Sequence, residues 1–481
     1  MSIQTFSMMH TIRLFIILTA ALMFPVISSG QTTWSLQRCF DYALGHNLQI
    51  KQQQLAEERT RNDLKQSYAN LFPNLNGYAQ QGFNYGRTID PFTNEFATER
   101  VAFQRMYAHS GVTLFSGFQN INNIRLNLAQ NTAFRYDTEK LQNDIILSLA
   151  SAYLQILYFE DMVEVIGQQL EVMEQQEERT RLMMEGGAVA RGALLEIRAQ
   201  AAEERLNLMN AKNDLELAYL ELIHMLDLDP GEAFEIERPD ITIDEALLFE
   251  DPSSVLEKAL GFEPSVKAAS QRISMAERGL AMARGEQSPR LSFGASYGTG
   301  YSGAARRQVG SQATGEFTEI GRTASNEVVL RELTMPIYEK VSYKDQITEN
   351  MNQAIQLEVQ IPIFNRFQTR RRIQNSKVDL ENARVGYEIT KNNLAKTVQQ
   401  AHADATAAYQ KYQATTLSQE AFRESFRDSE QRFNLGMISS VEYNEAKARL
   451  ARSEMDALQA KYEFVFKARI LAFYQGEGFA L

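Results

Sequence analysis

Two stretches of this chain, residues 118–185 and 367–435, contain no proline and one glycine apiece, Gly167 and Gly386. Proline breaks a helix and glycine weakens it, so a stretch poor in both is free to run as one helix. Each span is about 68 residues, and at ~1.5 Å per residue such a helix is about 100 Å long. No compact globule accommodates a rod of that length. Within the first span Ile145, Leu149, Ala152, Ile156, Phe159, Val163, Ile166 and Leu170 alternate spacings of four and three, the seam of a helix packed along its length.

The chain is also doubled. Ala43-Leu44-Gly45 returns as Ala259-Leu260-Gly261, an offset of 259 − 43 = 216, and Phe72-Pro73-Asn74-Leu75 aligns with Ser288-Pro289-Arg290-Leu291 at the same offset. Leu114-Phe115-Ser116-Gly117-Phe118 aligns with Ile363-Phe364-Asn365-Arg366-Phe367 at 363 − 114 = 249, as does Gly187 with Gly436. The offsets differ by 249 − 216 = 33 residues, an insertion in the second copy between Leu291 and Ile363. Units this long are not solenoid repeats, which recur every ~20 to 50 residues. Shorter helices are expected at Ser35–Leu71 and Gly192–Asp227, and again at Ser253–Gln287 and Val441–Gln475. Stacked end to end, each pair matches the length of a rod and gives its apolar seam a partner. The predicted organisation is residues 1–30 as a signal segment, 31–230 as the first repeat, 231–252 as a small linker and 253–481 as the second repeat.

Between short and long helices the pattern changes to period two. From Leu291 the order Leu, Ser, Phe, Gly, Ala, Ser, Tyr puts Leu291, Phe293, Ala295, Tyr297 and Tyr301 on one face and serine or glycine on the other. From Ile355, Leu357, Val359, Ile361 and Ile363 oppose Gln356, Glu358 and Gln360. Apolar residues outward and small or polar residues inward are the signature of a membrane β-barrel; a half-buried soluble sheet alternates in the same way. The first-copy strands, near Leu75–Tyr85 and Val101–Phe115, alternate more weakly. Four strands per chain cannot close a membrane barrel, so the chain must oligomerise, and two, three or four copies give 8, 12 or 16 strands. The insertion, within 302–349, is expected as a long polar loop on the side opposite the helices.

The N-terminus points to the envelope. His10 and Arg13 precede the apolar run Leu14–Ile27, which ends in Ser28-Ser29-Gly30, the grammar of a secretory signal with cleavage near Gly30. That run is shorter than the ~18 residues of a spanning helix. Leu36-Gln37-Arg38-Cys39 lacks the small residues of a lipidation site. No later apolar stretch is expected to span as a helix, so membrane contact is assigned to strands. The net charge of −11, with no basic block, argues against nucleic-acid partners. The single cysteine, Cys39, excludes an internal disulfide and a thiolate cluster.

Enzyme chemistry finds no footing. Gly298-Thr299-Gly300-Tyr301-Ser302-Gly303 matches a dinucleotide-binding pattern, but Ala304-Ala305-Arg306-Arg307 and a Gly- and Thr-rich stretch follow where a helix and an acidic residue are required. The histidines at 10, 46, 109, 224 and 402 have no metal-ligand spacing. Neither a cofactor nor a metal is expected.

The chain resembles the TolC-type outer-membrane efflux protein family over nearly its whole mature length. The likeness is carried by Trp34-Ser35-Leu36-Gln37-Arg38-Cys39 with Ala43-Leu44 and Asn47-Leu48, by Pro73-x-Leu75 and Pro289-x-Leu291, and by Leu114-Phe115-Ser116-Gly117. Ile361-Pro362-Ile363-Phe364-Asn365 and Arg432-Phe433-x-x-Gly436-x-x-Ser439 complete it. The resemblance implies a homotrimer: a 12-stranded barrel in outer-membrane lipid above a long α-helical tunnel in the periplasm. Such a duct passively conducts substrates received from a periplasmic adaptor and an inner-membrane transporter, in a tripartite pump or a type I secretion system. A different class, a trimeric coiled-coil spacer that conducts nothing, is the alternative. By the resemblance, adaptors dock on the hairpin tips, here Gly187, Ala188 and Val189 with Gly436, Met437, Ile438 and Ser439. Family members commonly carry an acidic pair facing the pore six and nine residues beyond the second hairpin glycine; here the pair is Glu442 and Glu445. Three residues apart, they share a helix face, and in a trimer would form rings of carboxylates that favour cations. The aligned first-copy positions are Ala193 and Glu196.

Overall fold

A computed structural model of the chain describes residues 33–89, 94, 96–97, 100–229, 234–239 and 250–479. The expected signal segment at 1–30 and most of the 231–252 linker lie outside the described residues. The first half runs α1 (Leu36–His46), α2 (Leu48–Ala69), β1 (Asn74–Asn84), β2 (Thr88–Ile89), β3 (Phe96–Ala97), β4 (Val101–Phe115), α3 (Gln119–Glu185) and α4 (Arg191–Met225). The second runs α5 (Pro252–Phe262), α6 (Pro264–Gly285), β5 (Arg290–Ser302), β6 (Arg306–Arg322), β7 (Val328–Lys340), α7 (Tyr343–Glu349), β8 (Asn352–Gln360), α8 (Gln368–Asn434) and α9 (Ser440–Gln475). Helices α3 and α8 are each 67 residues long and stop within a residue of the proline-free spans.

The shorter helices before the strands are not continuous. The expected Ser35–Leu71 helix breaks at Asn47 and the expected Ser253–Gln287 helix at Glu263, positions aligned at 263 − 47 = 216. Both residues leave helical geometry with ψ near 120° (127° and 120°) while their N–H groups still bond the fourth carbonyl back, on Ala43 and Ala259. The causes differ. Asn47 turns its side-chain oxygen to the N–H groups of Gln49 and Ile50, at 2.9 and 3.2 Å, starting a new helix. Glu263 precedes Pro264, whose ring disfavours helical geometry in the residue before it.

The chain forms two compact units, and each draws on both halves of the duplicated sequence. The first comprises residues up to Gln54, Asp137–Pro264 and Lys391–Leu481. Its core gathers Trp34, Phe40, Leu149, Tyr153, Ile156, Leu222, Leu226 and Val465, all buried. The described part of the linker, residues 234–239, joins this core: Ile236 bridges Trp34 in parallel, and Tyr153 donates its hydroxyl to the carbonyls of both Trp34 and Glu237. Contrary to expectation, α3 carries an 18-residue window whose mean hydropathy, 1.2, would suffice for a membrane helix. Packing explains it, since Leu149, Tyr153 and Ile156 of the same helix are core residues.

The second unit, Leu55–Tyr136 and Ser265–Thr390, holds a four-stranded antiparallel sheet in the order β1-β4-β5-β8. Its register stacks Val112, Phe293 and Leu357 in one row, and sets Ala295 against Ile355 and Leu291 against Val359. These side chains share one face, where Ile355, Leu357 and Val359 are exposed by 77, 64 and 58 %. The other face is polar, a cleft lined by Asn74, His109, Gly111, Ser292, Gly294 and Gln356. At the strand-to-helix junction Gly117 takes φ +63°, and an added Cβ would collide with the Gly285 carbonyl; only glycine meets both demands.

The insertion is not a loop. β6 and β7 pair as a long ribbon, and α7 returns the chain to β8. The apolar run Val328-Val329-Leu330 and the later Met335, Ile337 and Tyr338 are strand-forming residues, and Asn326 at φ +68° makes the turn.

Candidate functional site

The two turns of greatest interest, at Gly187 and Gly436, lie in the first unit and are built alike. Gly187 takes φ +79° and Gly436 φ +71°. In the first, the Ala188 N–H reaches back to the Met183 carbonyl at 2.8 Å and the Gly187 N–H to Met184 at 3.0 Å. In the second, Met437 reaches Arg432 at 2.8 Å and Gly436 reaches Phe433 at 3.0 Å. These are the paired bonds of a Schellman cap, which closes a helix through a left-handed residue. A Cβ at either glycine would meet nothing within 4 Å, so backbone conformation alone selects glycine.

The hairpins face one another across a groove of about 430 Å³ lined by Met183, Val189, Ala193, Glu196, Phe433, Gly436 and Ile438, among others. Three of the sequence-predicted tip residues, Val189, Gly436 and Ile438, therefore come together. Ala188, Met437 and Ser439 lie exposed at the turns, Met437 by 70 %. Sequence reasoning missed the aromatic pair behind the groove: Phe433, which lines it, stacks on the buried Tyr443 with centroids 4.6 Å apart. Ion pairs brace the first hairpin, Arg198 to Glu177 at 3.0 Å and Arg205 to Glu174 at 2.9 Å.

The acidic pair is placed just past the second turn, with each carboxylate engaged locally. Glu442 is the third residue of α9, and Ser439 is its N-cap. The Ser439 N–H donates to Glu442 Oε2 at 2.9 Å while the Glu442 N–H donates to Ser439 Oγ at 3.3 Å, a reciprocal capping box. The Ser439 N–H, and after it the hydroxyl, hold the Glu442 carboxyl below the usual carboxylate range. Glu445 pairs with Arg449 one turn on. Within one chain the shift of Glu442 is thus downward, and the upward pull of crowded carboxylates can arise only between copies. The Ser439-x-x-Glu442 spacing was the readable signal for the box.

The sequence matches the outer membrane efflux protein family over residues 40–227 and 255–476. No curated protein sequence matches it. Among solved structures, the outer membrane protein VceC from Vibrio cholerae is 14 % identical with a TM-score of 0.72, over 92 % of this chain and 97 % of that one. A membrane protein from Pseudomonas aeruginosa is 16 % identical with a TM-score of 0.73, over 92 and 90 %. The MtrE outer membrane channel of Neisseria gonorrhoeae, in its open state, is 17 % identical with a TM-score of 0.69, over 92 and 89 %. At these identities the likeness is one of fold.

Proposed function

The chain belongs to the outer membrane efflux protein family, and from that premise we propose that it is the exit duct of a tripartite efflux pump or a type I secretion system. Its place is the outer membrane and its class that of channel proteins. The observation that carries the finer reading is the sheet with two free edges. Along β1-β4-β5-β8 successive strands alternate in direction, so β8 of one copy is antiparallel to β1 of the next. Hydrocarbon tolerates no open edge, and three copies give the 12-stranded ring implied by the family likeness. The apolar face then meets lipid, and the polar face lines the lumen.

The hairpin tips dock a periplasmic adaptor that links the duct to an inner-membrane transporter. Val189 and Ile438 supply apolar lining to the groove, and Ala188 and Met437 lie exposed at the adjoining turns. Glu442 and Glu445 narrow the periplasmic aperture. Transport is passive, driven by the partner. Purified protein reconstituted in planar bilayers should form trimers that conduct, and trimers without conductance would favour a spacer.

A further inference from the structure

We propose that the β6–β7 ribbon is a clasp between copies: in the assembled barrel it packs on the β1–β4 connection of the neighbouring copy. This rests on the reading of the barrel as a ring of copies.

At its root the ribbon is tied to α7 by the Arg307–Glu349 ion pair. Among the described residues β6 and β7 pair only with each other, and every residue of β7 is exposed. A lone two-stranded ribbon is marginally stable in water. β7 carries apolar residues on both faces, Val329, Leu333, Met335 and Ile337 beside Arg331 and Glu339 on one, and Val328, Leu330 and Tyr338 beside Glu332, Thr334 and Lys340 on the other. Strands covered on both sides read this way, whereas a long, exposed apolar edge invites wrong pairing.

The ribbon's root is fixed. Where β8 ends, the buried side chain of Gln346 completes the edge of β5, accepting from the Ser302 N–H at 2.8 Å and donating to the Ser302 carbonyl at 3.0 Å. Asn350 adds a bond to the Gly300 carbonyl at 2.7 Å. The ribbon therefore leaves the sheet from a defined point at its β8 edge.

Topology then names the neighbour. Phe103 pairs with Ser302, so the β1–β4 and β5–β8 connections lie at the same end of the sheet. Within one chain β4 and β5 separate β1 from β8. Between copies β8 meets β1, which brings the ribbon beside the connection of the next copy. That connection carries the small β2–β3 pair and exposes Tyr85, Ile89 and Phe96 by 73, 52 and 66 %. Two surfaces with exposed apolar side chains thus meet at the seam.

Disulfide trapping tests this, since Cys39 is the only native cysteine and is fully buried. Met335→Cys and Leu333→Cys are each combined with Phe96→Cys and with Ile89→Cys, and light scattering in detergent reports the oligomer independently. Trimers that yield linked dimers and trimers on oxidation, in double variants only, are expected. Intact trimers with no link from any pair would overturn the clasp and leave the ring standing. Monomers in detergent would remove the ring and the clasp together. Linking of Met335→Cys alone would place ribbon on ribbon and overturn the assignment. As an independent readout, joint replacement of Leu333, Met335 and Ile337 by serine should lower the temperature at which trimers dissociate, and an unchanged temperature would oppose the proposal.

Discussion

The two helical hairpins end in the same way and begin again differently. Both close on a Schellman cap with a left-handed glycine, Gly187 and Gly436, at aligned positions. The next helix of the first hairpin, α4, starts from Ala190, which offers no side-chain cap; that of the second, α9, starts from Ser439 and its capping box with Glu442. Ala193 stands where Glu442 stands in the second. The turn is the same in both copies, and the second adds a capping box and one further carboxylate at the helix start. In the proposed function the tip is both a docking rim and a constriction, and the second hairpin brings to it a capped helix start bearing Glu442 and Glu445.

The hairpins agree most closely at their turns, and the largest effects are expected there. Gly187→Val and Gly436→Val force a β-branched residue into left-handed geometry, at about 1–2 kcal/mol or more. Local opening measured by hydrogen exchange should rise equally at both tips, and adaptor pull-down should fall with the trimer intact. A large effect at one glycine alone would mean that the two caps are not equivalent.

The next effect is asymmetric. Ser439→Ala should cost about 1 kcal/mol of helix-start stability in α9, read as faster exchange in its first turn, with α4 unchanged. The converse, Ala190→Ser with Ala193→Glu, should slow exchange at the start of α4 by installing the missing box. If that double variant gains nothing, backbone geometry at Ala190 rather than side-chain chemistry distinguishes the hairpins.

The smallest effect is one of pH. Because Glu442 titrates below its ordinary value of 4.5 when folded, its contribution to the cap is complete above 4.5 and is lost as pH falls through the lower folded value. Exchange in the first turn of α9 should therefore quicken below about 4.5 in the wild type. Glu442→Gln should flatten that dependence, and α4 should never show it.

Much of this architecture is legible in the chain because its causes are local. Absence of proline with a single glycine apiece suffices for α3 and α8, and alternation at Leu291 and Ile355 suffices for β5 and β8. The break at Glu263 was equally local, written in Pro264, whereas that at Asn47 depends on a side-chain choice that propensity does not decide. The ribbon was hidden by its polar first strand, Arg306–Arg322, and by a register with several bulges. At the tip, the glycines were readable from spacing, but the groove was not, because Phe433 and Tyr443 meet across the turn from two different helices.

In the proposed function this chain conducts through an aperture set by the second hairpin. Single-channel recordings of the wild type and of Glu442→Gln with Glu445→Gln, with and without millimolar divalent cation, test it most directly. The wild type should form a cation-selective channel blocked by divalent ions, with selectivity and block both reduced in the double variant. A wild type that carries no current, or a variant with unchanged selectivity and block, would contradict it.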